Sequence, residues 1–282
     1  MNFALPPGTI PAGGRLMKVF QTVLESPKSM TETTFEQRSA RRFDLARLRT
    51  IFLRPAQAFR EMTSEARATW STPMLVLTVT AILVVLVSGY LKSRAAMMGE
   101  VTLPPDWEYW TLDMQNNFMQ AQQATQGPVF LYVMPMVGSL TGLWLGWLLL
   151  AALLHFGSTV LGGRGSMQGA LNLVAWGSLP FAVRDILRII FMLAAGHTII
   201  GPSLSGFAAP GGFLAQFLAR VDVFLVWQIV LLAIGFAIAD GLPRNKAVVG
   251  IVTVMLLVLL AQAGLGTLTS GLGGTAIQRP FF

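Results

Sequence analysis

Arg184, Asp185 and Arg188 stand in an otherwise apolar run from Met167 to Gly196. Charges are costly inside a membrane-length apolar run and are candidates for function by default. Asp185 and Arg188 are three residues apart, a spacing that lets them pair on one helix face. Arg184 projects about 100° away from Asp185, which leaves one cation in need of a partner. Three roles suit this pattern. The favoured one is structural: the helix ends near Pro180 and the charges snorkel to an interface. The second is contact with a lipid headgroup or another subunit, and the third is a polar path for a solute.

Other reactive patterns fail on spacing. The chain has two histidines, His155 and His197, and no cysteine. Thiolate chemistry and disulfides are therefore excluded, and no His-Glu-x-x-His pattern is present for a metal. Gly201-Pro202-Ser203-Leu204-Ser205 ends in Ser where a nucleophile elbow needs Gly. Gly162-Gly163-Arg164-Gly165 lacks the Gly-Lys-Ser/Thr ending of a phosphate loop. With no carboxylate pair facing a plausible cleft, the chain reads as a non-enzyme with no cofactor and no metal.

What must position the charged triplet is a membrane bundle. Of 282 residues, 54% are hydrophobic and 12% charged, about half the charge of a soluble domain. The fold class expected is all-α, a polytopic five-span bundle with interfacial amphipathic helices. Residues 1–40 form a flexible cytosolic tail, rich in Pro, Gly, Ser and Thr. Residues 41–72 hold juxtamembrane amphipathic helices: Leu45, Leu48 and Phe52 recur at helical spacing among arginines, and Phe59, Met62, Ala66 and Trp70 share a face beyond Pro55. Basic flanks opposite Leu, Phe and Trp suit helices lying in the cytoplasmic interface, apolar side down. Residues 73–264 form the membrane domain and 265–282 a Gly-rich outer tail. The spans run over about 73–91, 128–156, 167–196, 223–239 and 247–264, each able to cross roughly 30 Å of hydrocarbon. Asp106 is the expected cap of an outer interfacial helix carrying Trp107, Trp110, Met114, Phe118 and Ala121. Phe213 to Arg220 forms a short amphipathic piece. In the second span Gly138, Gly142 and Gly146 fall four apart, the pattern of a helix-packing groove.

The net charge is +7, and eleven Lys/Arg precede Thr72. Clustered beside a membrane entry point, they suit the anionic inner leaflet, not nucleic acid. With the N-terminus inside, fourteen Lys/Arg fall on the cytoplasmic side and four (Lys92, Arg94, Arg220 and Arg279) outside. For five spans this places the N-terminus in the cytoplasm and the C-terminus outside.

Two stretches carry a family resemblance. Leu53-Arg54-Pro55-Ala56-Gln57-Ala58-Phe59, with Trp70 at the first span, sets a Pro, then a Phe four residues on, then an aromatic at the membrane. Gly162-Gly163-Arg164-Gly165-Ser166-Met167-Gln168, with Leu171, Ala175, Trp176 and Leu179-Pro180, sets a Gly-Gly turn before a helix broken by Pro. From Leu45 to Gly264 the chain resembles the Yip1 domain family, five-span membrane proteins with a cytosolic N-terminus, and its prokaryotic branch in particular. Eukaryotic members carry an Asp-Leu-Tyr-Gly-Pro type segment where this chain reads Ile51-Phe52-Leu53-Arg54-Pro55, sharing only the Pro. The resemblance implies a membrane adaptor, scaffold or membrane-organising partner with Pro55, Phe59, Gly162, Gly163 and Pro180 as motif residues. It also implies a protein partner, and the glycine row adds a homo-oligomer as another. The alternative is a small-solute or ion transporter or channel built on Arg184, Asp185 and Arg188.

The charge asymmetry predicts that a single cysteine introduced at Pro243 is shielded from an impermeant thiol reagent in intact cells, whereas one at Gln115 is labelled. Labelling at position 243 from outside would refute the orientation.

Overall fold

The computed structural model describes residues 45–64, 69–99, 103–104, 107–199, 203–209 and 211–272. The expected tail at 1–40, the run Arg41 to Asp44, the expected cap Asp106 and the Gly201-Pro202 pair lie outside them. The described residues form helices α1 (Leu45–Leu53), α2 (Pro55–Ser64), α3 (Ser71–Met97), α4 (Leu112–Thr125), α5 (Met134–Val160), α6 (Met167–Gly177), α7 (Leu179–Ala195), α8 (Phe213–Leu218), α9 (Val223–Ala239) and α10 (Arg244–Leu272). One π-helical turn, Val129–Val133, leads into α5, and no strand is present among the described residues. Three helical stretches are long and apolar enough to cross a membrane: Ser71–Met97, Val129–Val160 and Arg244–Thr269. Val223–Ala239 is apolar and shorter.

The run expected as the third span is two helices. Pro180 has no N–H to give to the carbonyl four residues back, so the ladder breaks. The chain restarts at Leu179 with Pro180 in the first turn, where a missing N–H costs nothing. The charged triplet therefore lies inside α7; the helix does not end near Pro180. The break also sends the two halves to different places. α3, α5, α10, α9 and α7 pack in sequence as a ring, each touching the next, and α3 closes on α7. α6 touches α3, α5 and α9 from within, and Ala170 with every residue from Asn172 to Gly177 is buried. α6 is thus the core of the bundle, and α7 is part of its wall.

α1 and α2 form where expected. Pro55 disfavours helical backbone at Arg54, which ends α1, and then opens α2. Their apolar side corrects the expectation. Ile51, Ala58, Phe59 and Met62 are buried in protein, with α2 packed along α9. Phe52 meets the Trp227 ring at 5.3 Å. The apolar stripe lies against the bundle because α9 presents Gly235, where a Cβ would come within 3.2 Å of the Phe59 ring. Ala66 lies outside the described residues.

Inside lipid, apolar burial gains no water-exclusion energy, and close packing has to hold the helices together. Glycine supplies it at Gly235 and at two further contacts. A Cβ on Gly89 of α3 would stand 2.5 Å from the Tyr132 ring and 2.8 Å from the Leu131 carbonyl. One on Gly177 would stand 2.8 Å from Leu232 Cδ2. The Gly138, Gly142 and Gly146 row serves differently. Gly138 and Gly146 are exposed, and a Cβ on either meets nothing within 4 Å. Within this chain these two close no helix contact among the described residues.

Two boundaries also shift. α10 continues to Leu272, through the start of the expected outer tail, and a Cβ on Gly266 would stand 2.9 Å from Gln216 Oε1 of α8. α4 is capped by Thr111, whose hydroxyl accepts the Met114 N–H at 3.4 Å. Trp107, Trp110 and Phe118 gather their rings within 5.7 Å of one another.

Gly89→Ala must push α3 off the π-helical turn that leads into α5 and should cost about 1–3 kcal/mol. Gly146→Ala should be neutral or slightly stabilising. Melting curves of both variants in one detergent check the order.

Candidate functional site

Three polar clusters interrupt the apolar bundle. The first ties α1 to the core helix. Arg47 is buried; its Nη1 donates to Thr69 Oγ1 at 3.0 Å, and the Thr69 N–H donates to Asn172 Oδ1 at 3.1 Å. The guanidinium also lies 5.7 Å from the Trp176 ring centre. Alongside, Trp70 packs on Trp147 at 5.1 Å, and Trp147 Nε1 donates to the Leu171 carbonyl at 2.9 Å. Arg47 reads in the sequence as a flanking charge. The visible signal was Asn172, a polar residue in a run otherwise buried and apolar, which needs a partner.

The second cluster is a clasp at the α9–α10 turn. Asp240 is buried; it accepts a hydrogen bond from the Ser158 hydroxyl at the end of α5, and its own carbonyl accepts the Arg164 N–H at 3.1 Å. The Gly-Gly-Arg-Gly loop wraps this carboxylate. Gly162 holds φ at +93°, a conformation that suits glycine. A Cβ on Gly163 would collide with the Ser158 hydroxyl, and one on Gly165 with the Asp240 carboxylate. Ser166 then caps α6, accepting the Gly169 N–H at 3.1 Å. The loop therefore joins the ends of α5, α6, α9 and α10. Burial pushes the Asp240 carboxyl above the ordinary carboxylate range, while the Ser158 bond and nearby His155 pull it down.

The third cluster holds the charged triplet. Arg184 Nε lies 3.4 Å from Asp185 Oδ1, and Arg184 Nη1 lies 3.6 Å from Asp222 Oδ2. Its guanidinium also sits 4.5 Å from the Phe181 ring centre. Asp222 is the residue that sequence reading missed. It caps α9 by accepting the Leu225 N–H at 2.8 Å, and an Asp directly before an apolar helix was the available signal. The pairing is the reverse of the expected one: Arg184 takes both carboxylates, and Arg188 has neither an ion pair nor a hydrogen bond among the described residues. A recess of ≈ 290 Å³ opens beside them. Arg184, Arg188, Ser203 and Asp222 form its polar wall, and Leu187, Phe191, Ile199 and Phe224 its apolar wall. Among the described lining residues Ser203 carries the one hydroxyl.

Other expected residues fall into place around these clusters. Phe59 is buried against α9, and Pro55 and Pro180 each open a helix. His155 and His197 lie apart from one another: His155 Nδ1 is buried without a hydrogen bond, and His197 Nδ1 contacts the Thr198 carbonyl at 3.0 Å. Among the described residues no group of three His, Asp or Glu is placed to hold a metal.

A family model described as Yip1 domain matches residues 49–265. No curated protein and no solved structure matches the chain.

Asp240 binds its proton more tightly in the folded chain than in the unfolded one. The stability this adds is complete in acid and is lost as pH rises through the raised pKa. Asp240→Asn cannot ionise, so its melting temperature should gain on the parent's as pH climbs from the carboxylate range to neutrality. Melting both proteins in detergent across that range checks the sign.

Proposed function

We propose that this chain, which belongs to the Yip1 domain family, works as a non-catalytic membrane scaffold or adaptor that presents its docked α1–α2 pair to partners at the cytoplasmic face. The observation that carries this reading is the two-sided use of α1–α2. The apolar side is locked to α9 and α6, with the Arg47–Thr69–Asn172 chain as its anchor. The opposite side leaves Arg49, Arg54, Gln57, Arg60 and Glu61 exposed. An element held this firmly on a bundle, with a basic outer face, is a platform for an acidic protein surface or for anionic headgroups.

Five crossings by α3, α5, the α6–α7 pair, α9 and α10 are consistent with this reading. The 17 residues of α9 extend about 25 Å, within the range of a short span. A cytoplasmic N-terminus then puts the Asp240 clasp inside and the Arg184 recess outside. The exposed Gly138–Gly146 face supports contact with a second copy or another membrane protein more than cohesion of this bundle. Transport is the weaker reading. Along the third run and α9, Trp176, Leu179, Leu231 and Leu232 separate the recess from the clasp, all fully buried.

Reversing Arg49, Arg54 and Arg60 to Glu touches only exposed side chains and should leave the melting temperature unchanged. Affinity capture of the full chain from native membranes should then lose the proteins that the parent retains. An identical captured set from parent and variant would remove the platform role.

A further inference from the structure

Arg188 is a half-buried cation with neither an ion pair nor a hydrogen bond among the described residues, on the wall of a recess that is polar on one side and apolar on the other. A guanidinium carries five N–H donors in a planar fork, and leaving them unmet away from bulk water is costly. The nearby carboxylates do not meet them. Asp222 spends one oxygen on the Leu225 N–H and the other on Arg184, and Asp185 faces Arg184. Both attract Arg188 through space, and Arg184 repels it. Among the described residues its fork is left for an anion from outside the chain to take.

The remaining surface says what that anion is attached to. Leu187, one residue before Arg188, and Phe191, three residues after it, line the recess, and both are about half exposed. They continue into Ile186 and Ile190, also exposed on α7. In a membrane helix this ridge faces acyl chains. The recess is therefore a polar notch that opens sideways onto a lipid-facing ridge, and a free ion would leave its apolar wall unmatched. We infer that the recess binds the headgroup of an anionic phospholipid, whose phosphate takes the Arg188 fork while its acyl chains run along Leu187 and Phe191. Bidentate Arg–phosphate pairing is both strong and directional. Arg184, already held by two carboxylates, fixes the wall behind. The volume, ≈ 290 Å³, is near the lower bound of small-molecule sites, about 300–1,000 Å³, which suits a headgroup but not a whole lipid.

The inference rests on the α6–α7 crossing proposed above and is separate from the scaffold role of α1–α2. The test uses the full chain purified in mild detergent, as parent, Arg188→Gln and Arg188→Lys. Arg188→Gln breaks no bond in the structure, so it should fold; the lysine variant keeps the charge and loses the fork. Native mass spectrometry should find one anionic phospholipid on the parent, at least about tenfold weaker retention on Arg188→Gln, and an intermediate result for Arg188→Lys. After delipidation, phosphatidylglycerol should raise the parent's melting temperature more than phosphatidylcholine does, and inorganic phosphate should not raise it. Equal retention by parent and Arg188→Gln would overturn the site. Equal effects of the two lipids would overturn its preference for an anionic headgroup. Arg188-dependent protection by inorganic phosphate without lipid would overturn the lipid as occupant.

Discussion

The enclosure of α6 is the constraint on which the rest of the structure depends. A helix buried from Asn172 to Gly177 needs protein around it, and α3, α5 and α9 pack directly on it within the ring that α10 and α7 complete. Its polar groups must then be met inside the bundle. Asn172 takes the Thr69 N–H, Ser178 takes the Gln228 amide at 2.9 Å, and the Leu171 carbonyl takes the Trp147 indole. Each bond fixes a neighbouring element: the entry to α3, then α9, then α5. The proline break is what makes this possible. An unbroken helix from Met167 to Ala195 would keep both halves on one line, and the charged half would follow the core half inward.

Close approach in this bundle is set by single glycines at crossing points. A methyl at Gly89 would meet the Leu131 carbonyl and the Tyr132 ring, one at Gly177 would displace the end of Leu232, and one at Gly235 would press on Leu173 and Phe59. These positions are scattered over three helices and follow no repeat. The regular row in α5 leaves Gly138 and Gly146 open to the outside. Regular spacing marks a smooth helix face, whereas the partner that uses it depends on which helices the loops bring together.

The polar clusters divide the molecule by role. The clasp at Asp240 joins four helix ends with one carboxylate, and the glycines of the Gly162–Gly165 loop are needed because their backbone presses against it. The Arg47 chain transmits the position of the N-terminal helices to the core. At the recess, Arg184 holds Asp185 and Asp222, and Arg188 has no ion pair among the described residues. The first two clusters fix helix ends against one another, whereas the third lines an open recess.

Much of this was legible in the residues. The apolar blocks, the apolar helix at 223–239, the break at Pro180 and the family motifs are local properties, set by runs of apolar residues and by proline's missing N–H. The resemblance carried by Pro55, Phe59, Gly162, Gly163 and Pro180 led to the right family for the same reason: turn and helix-break chemistry is written in adjacent residues. Four matters lay beyond the sequence: that α1–α2 spends its apolar face on α9, that Arg47 is buried, that Arg184 and not Arg188 is the paired arginine, and that Asp240 is the centre of a clasp. All four depend on contacts between residues far apart in the chain, such as Arg184 with Asp222 and Ser158 with Asp240. Amphipathic spacing says that a helix has an apolar side, but protein and lipid are equally apolar to it. The sequence by itself determined which segments leave water and where the chain must bend. Only the tertiary structure decided which neighbour each face and each charge would find, because that choice is made by the packing of whole helices around α6.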